Sequence, residues 1–227
     1  MAKTRKVILL LVEGITDKVC LEAILPAFIE NEEITFQITC GDVTTEDGVD
    51  AQNIVKQVNA HIQNHLTSNH FKKSDIAQII HLIDTDGAFI ADDSIVYADV
   101  EHIQYYPDRI ESKNVNAIKI RNHIKVSALN KLSSKSKIAS MNYSVYYFSS
   151  NLEHVFHNIQ KDLSKEEKMV LAEKFSDQYA DNSDGFLMFM NSIDFAVAGD
   201  YRESWSFIKN NCNSLNRYCN FHIYLNS

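Results

Sequence analysis

Residues 7–12, Val-Ile-Leu-Leu-Leu-Val, form an unbroken apolar run that stops at Glu13. The length suits a strand. Having no polar face, it suits one covered on both sides, as in a parallel sheet layered between helices. No other apolar run is longer, and a membrane helix needs roughly 20 such residues. Lys3, Arg5 and Lys6 precede the run, but a secretory signal requires a longer apolar stretch and a small-residue cleavage site. The expectation is a cytoplasmic protein that does not enter a membrane.

The rest of the chain alternates helical and strand patterns. Apolar residues at Val19, Leu21, Ile24, Leu25 and Phe28 predict a helix over 16–32, kinked or restarted at Pro26. Residues 34–39 alternate as a second strand. Ile54, Val58, Ile62 and Leu66 mark a helix over 53–66. A third strand spans 77–83 and ends at Asp84; short strands fit 95–97 and 103–106. A helix over 115–132 and a fourth strand over 143–148 follow. The remainder is mostly helical, including 165–179 and 202–210. With 227 residues, 45% of them apolar, the chain can bury one sizeable core. The predicted fold is α/β, a largely parallel sheet flanked by helices over residues 1–152, with a helical extension over 153–227 packed on it.

The net charge of −8 disfavours a passive nucleic-acid coat protein, but the charges are segregated. Residues 84–111 hold eight acids against Arg109 alone. Residues 112–152 hold no acid and seven basic residues, among them Lys113, Lys119, Arg121 and Lys125. Such a pair of segments is either a set of solvated helix faces or a phosphate-backbone footprint beside a cation site. Cys20, Cys40, Cys212 and Cys219 show no CxxC spacing, and His61 and His65 have no third ligand nearby. Neither a disulfide framework nor a zinc site is expected.

Two acidic turns follow apolar strands: Glu13-Gly14-Ile15-Thr16-Asp17 after the first and Asp84-Thr85-Asp86-Gly87 after the third. In open α/β sheets function gathers at the carboxyl ends of strands, so Glu13 and Asp84 share a rim if those strands are neighbours. In an extended Asp-Thr-Asp both carboxylates fall on one side, and Asp17 lies about one helical turn beyond Glu13. Gathered carboxylates repel, and an all-oxygen donor set suits Mg2+ or Mn2+. Each group also has a plainer use: Thr16 or Asp17 as a helix cap, and 84–87 as a tight turn.

These two motifs resemble the TOPRIM fold of topoisomerases, bacterial primases and a group of nucleases. Glu13, followed by Gly14, matches the family glutamate after strand one; Asp84 and Asp86 match its aspartate pair after strand three. Within the fold the chain looks most like OLD-type nucleases and stand-alone TOPRIM proteins of phage-defence, or abortive-infection, systems. Those carry a second acid four residues after the glutamate, usually Glu, where this chain has Asp17. The stretch Ser149-Ser150-Asn151-Leu152-Glu153 is similar to their serine-rich turn followed by an acid, which makes Glu153 a candidate fifth carboxylate. Its plainer use is as an ordinary helix start capped by Ser150 or Asn151.

The resemblance implies a nucleic-acid enzyme. A topoisomerase needs a nucleophilic tyrosine on a separate, moving domain, for which 227 residues leave no room, and a primase needs template-handling modules, which nothing in the sequence supplies. Hydrolysis needs only metal-activated water and a basic track. The expectation is a divalent-metal-dependent nuclease acting on DNA or RNA. Asp84, Asp86 and Asp17 hold one or two cations, Glu13 joins them or moves a proton, and Lys113, Lys119, Arg121 or Lys125 neutralise the backbone. Tyr105, Tyr106, Tyr146 and Tyr147 are candidates for base stacking. The rival is a non-catalytic binding subunit held by an ATPase partner, since the chain has no P-loop of its own. Residues 201–207, around Trp205, are either a docking face or core.

Overall fold

A computed structural model describes residues 6–28, 34–40, 43–44, 48–161 and 163–227. The main sheet has the order β2-β1-β3-β8-β7, formed by β1 Lys6–Val12, β2 Ile34–Cys40, β3 Ile76–Asp84, β7 Lys137–Ile138 and β8 Met141–Phe148. Strands β2, β1, β3 and β8 run parallel, and only the short β7 is antiparallel to its neighbour. A second sheet of order β4-β6-β5 comprises β4 Ile95–Tyr97, β5 Gln104–Tyr105 and β6 Ile110–Ser112. The helices are α1 Ile15–Glu22, α2 Ile54–Ser68, α3 Val115–Ser133, α4 Leu152–His157, α5 Lys165–Tyr179, α6 Ser183–Met190, α7 Tyr201–Ile208 and α8 His222–Leu225.

The unbroken run of β1 is accounted for by two apolar layers. Leu9 and Leu11 join Ile79, Ile83, the α2 stripe Ile54, Val58, Ile62 and Leu66, and Leu129 and Leu132 of α3. Leu10 and Val12 face the other way, into Leu21, Ile80, Leu82, Phe156, Phe175 and Phe186. Removing one such leucine to alanine costs about 2–5 kcal/mol, so a polar residue is not tolerated on either face of β1. Because β2 and β3 flank β1 on opposite sides, the strand order switches direction there, which opens a crevice at the carboxyl ends of β1 and β3.

The first helix is shorter than its pattern. α1 ends at Glu22, residues Leu25–Phe28 form a separate 3-10 turn, and the remainder of the expected helix lies outside the described residues. Pro26 explains the break, since its ring and missing N–H cannot continue an α-helix. The C-terminal third does more than cover the sheet. Ser149 N donates to Tyr218 O at 2.8 Å, Ser150 N to Ser214 O at 3.0 Å, and Asn220 Oδ1 accepts from Tyr147 N at 2.8 Å. Trp205 is core, its Nε1 donating to Val145 O at 3.3 Å. Among the described residues no helix is long and apolar enough to cross a membrane.

One buried group in β3 makes stability depend on pH. His81 Nδ1 shares a hydrogen bond of 2.8 Å with Tyr143 Oη. Burial, and after it the neighbouring His61, lowers its pKa from 6.5 to about 3. The folded protein keeps this imidazole neutral, while the unfolded chain protonates it in mild acid. His81 therefore leaves stability untouched above pH 6.5 and withdraws it as the pH falls from 6.5 towards 3. The expected slope is up to about 1.4 kcal/mol per pH unit, and His81→Gln should flatten it in urea melts between about pH 7 and pH 4.

Candidate metal centre

Three adjacent parallel strands deliver acids to one place. Glu13 follows β1, Asp84 ends β3, and Glu153 lies in the first turn of α4, just beyond β8. With Asp17, Asp86 and Lys168 they line a single cavity of ≈ 210 Å³. All five carboxylates singled out in the sequence thus meet at the crevice.

Each is held by local structure. Asp17 is buried on α1, and its Oδ2 accepts from Gly14 N at 2.8 Å. It is therefore both a helix cap and a wall of the cavity, with Gly14 rather than Thr16 at the N-cap. Glu13 Oε1 accepts from the hydroxyl of buried Thr44 at 2.9 Å. The α4 cap is Asn151, whose Oδ1 accepts from His154 N at 2.8 Å. Glu153 is buried in the same turn, 3.6 Å from Lys168 Nζ.

Asp84 and Asp86 reach the cavity by a different route from the extended Asp-Thr-Asp expected. Beyond β3 the chain keeps pairing with the segment after β8: Thr85 N donates to Phe148 O at 2.9 Å and Asp86 N to Ser150 O at 3.0 Å. It then turns, with positive φ at Asp86 (48°) and Gly87 (65°). Gly87 is required, since a Cβ there would stand 2.3 Å from Leu215 Cδ2 in a conformation that side chains rarely adopt.

The basic residues are the main correction. Lys125 does not lie on an exposed backbone track: it is 1% exposed, its Nζ pairs closely with Asp86 Oδ2 and stands 4.0 Å from Glu13 Oε2. Arg121 is also committed. Its Nη2 donates to Asp86 O at 3.0 Å, its Nη1 to Tyr105 Oη at 2.9 Å, and its Nε to Asn122 Oδ1 at 3.1 Å. Lys113 is exposed and pairs with Asp99 at 3.0 Å, and Lys119 is half-buried. Two of the four expected phosphate contacts thus build the site from behind. Tyr146 and Tyr147 are core, which leaves Tyr105 and Tyr106 as the aromatics near the surface.

The charges explain the arrangement. Asp84 opens onto the cavity with protein on its other sides. Burial first, then Glu13, Asp17 and Asp86, raise its carboxyl well above the ordinary range, and Lys125 offsets part of this. Lys125 itself is held protonated: burial opposes its charge, but Asp86 and Glu13 outweigh it and raise its pKa. Among the described residues no group of three or more His, Cys, Asp or Glu is arranged to hold a metal ion as it stands. The ammonium of Lys125, between Asp86 and Glu13, is the counter-charge in that arrangement. The donor set is oxygen only and surrounds a cavity of ≈ 210 Å³, which fits Mg2+ or Mn2+ better than a thiol- or imidazole-seeking ion.

Fold and site together define an α/β protein with a carboxylate-walled crevice at the switch point of a parallel sheet. Set against known protein families, characterised proteins and solved structures, the chain matches none. Two residues of the site, Thr44 and Lys168, lie outside any sequence motif, and Lys125 belongs to the buried wall of the site and not to an exposed basic track.

Proposed function

We propose that the chain is a TOPRIM-like, divalent-metal-dependent nuclease that hydrolyses phosphodiester bonds in nucleic acid. The observation that carries this reading is the delivery of Glu13, Asp84 and Glu153 from three neighbouring strands, with Asp17 and Asp86, to one cavity. Asp84, Asp86, Asp17 and Glu153 would hold Mg2+ or Mn2+. Bound there, the ion would polarise phosphate oxygens and acidify water.

The chain's own groups do the rest. Water attacks phosphorus in line with the leaving oxygen, and the phosphorus–oxygen bond on the far side breaks. Glu13, oriented by Thr44, accepts the proton that the water loses, and the leaving oxygen takes a proton from solvent. Lys168, on the cavity wall, meets the charge of the scissile phosphate. Arg121 fixes the carbonyl of Asp86 and so the direction of that carboxylate. Arg121→Ala is therefore expected to weaken Mn2+ binding about 10- to 100-fold in calorimetry while the fold persists. Arg121→Lys should fail similarly, because an ammonium cannot reproduce the guanidinium fork. A role as a phage-defence effector rests on the sequence resemblance alone.

The test is cleavage of labelled DNA and RNA strands with Mn2+, lost on chelation with EDTA. A second reading, a non-catalytic subunit held by an ATPase partner, is favoured by one observation: Lys125 already neutralises part of the acid cluster. That subunit would neither cleave nor bind Mn2+ at the acids.

A further inference from the structure

The acid cavity adjoins a larger one of ≈ 370 Å³, and the two share Glu153 and Lys168. Ile103, Tyr105 and Leu163 supply apolar and aromatic lining to the larger cavity, and Asn151, Gln160 and Lys161 supply polar lining, together with the carboxylates of Glu101 and Glu153. Its walls are braced. Arg121 donates from one nitrogen to Tyr105 Oη and from another to Asp86 O, so a single guanidinium ties the aromatic wall to the loop presenting Asp86. Gln160 is fixed by its Nε2 donating to Leu215 O at 2.9 Å.

We infer that this second cavity receives the nucleoside next to the bond being cut, and that the substrate is therefore an unpaired strand. The inference rests on the reading of the acid cavity as a phosphodiester site. A nucleobase needs a flat apolar or aromatic wall and a few fixed polar groups, and its phosphate needs a cation. Ile103, Leu163 and Tyr105 supply the first, the amides of Asn151 and Gln160 the second, and Lys161 and Lys168 the third. Lys168 stands where the two cavities meet, as the link between nucleoside and scissile phosphate requires. The volume is near the lower end of the range for small-molecule sites, roughly 300–1,000 Å³, which is room for one nucleotide and not for a stacked helix. A paired base is stacked on both faces and would have to leave its duplex, at a cost of a few kcal/mol. Lys161 and Lys168 now face Glu167 and Glu153 at 3.7 and 3.6 Å. The Lys161–Glu167 pair is exposed on both sides, so an arriving phosphate exchanges it at little cost, whereas Lys168 keeps buried Glu153 as its partner while it meets the phosphate.

The test uses the intact chain in two experiments. In EDTA, phosphorus NMR line broadening follows AMP, dAMP and inorganic phosphate against the wild type, Tyr105→Ala, Tyr105→Phe and Lys161→Ala. With Mn2+, cleavage of one oligonucleotide is compared free and in a duplex, as DNA and as RNA. The nucleotides are expected to bind more tightly than phosphate. Tyr105→Ala should lose about 10-fold in binding, as when other stacking aromatics are removed, while Tyr105→Phe keeps most of it. Lys161→Ala should weaken nucleotide binding without altering the melting temperature. The free strand should be cut at least about 10-fold faster than the duplex, and the strand type cut faster should match the nucleotide bound more tightly. No nucleotide binding, or binding indifferent to both Tyr105→Ala and Lys161→Ala, overturns the inference. Equal cleavage of free and duplex strands overturns it while leaving the nuclease reading intact. Nucleotide binding without cleavage of any strand overturns the nuclease reading, and the assignment of this cavity to a cleaved strand falls with it.

Discussion

A chain carrying Asp84→Asn and Asp86→Asn together is expected to cut nucleic acid on the order of 1,000-fold more slowly than the wild type, about 4 kcal/mol of barrier. Both carboxylates line the acid cavity, and their amides are neutral and far weaker ligands for a hard cation. The two changes should separate in the metal-free protein. The ionisation of Asp84 is opposed by burial and by its three acidic neighbours, so Asp84→Asn alone should raise the melting temperature while it removes activity. Asp86→Asn should lower it, because it strips Lys125 of its nearest partner. Opposite shifts from aspartates two residues apart are not what a simple turn would give. Rate assays beside thermal melts of the two single variants and the double variant check both statements.

Removing Lys125 should have the largest effect on stability. Breaking a buried ion pair by deleting one partner costs about 3–5 kcal/mol, since the remaining charges lose their compensation. Here two acids are left, Asp86 and Glu13, with Asp84 and Asp17 beside them. Lys125→Met keeps most of the volume and removes the charge, which distinguishes electrostatics from a packing defect. The loss should be greatest at neutral pH and should shrink in acid, where the carboxylates take up protons and cease to repel. Mn2+ should restore part of it, about 2.7 kcal/mol at a hundred times the dissociation constant. Urea melts with and without Mn2+ measure both effects. A Lys125→Met chain as stable as the wild type at neutral pH would show that the cluster does not depend on the ammonium.

Much of the fold was legible because its signals are local. The run of β1 has no polar face, and the structure buries both. The stripe of α2 packs on one face of the sheet, and the Glu13 and Asp84 turns sit where strand ends put them, with β1 and β3 as neighbours. The gathering of Glu13, Asp17 and Asp84 followed from that placement, whereas Glu153 was pointed to by the family resemblance alone. What was not legible depends on tertiary contact. Asp86 reaches the cavity through a left-handed turn set by Ser150 and Leu215, residues far away in sequence. Lys168 arrives on α5, which packs against α1 with no motif to announce it. Lys125 did leave a trace. It lies with Ile118, Asn122, Leu129 and Leu132 on the buried face of α3, so the helical period placed a lysine in the core, where charge is kept only if paired. The return of 214–220 alongside β8 has no periodicity at all and could be seen only in three dimensions.

The most direct measurement is a calorimetric titration of the intact chain with Mn2+, beside the Asp84→Asn, Asp86→Asn double variant checked for folding. Saturable binding by the wild type and none by the variant is expected. Failure of the wild type to bind at millimolar Mn2+, or equal binding by both chains, would contradict a metal centre at these acids and the nuclease proposal with it.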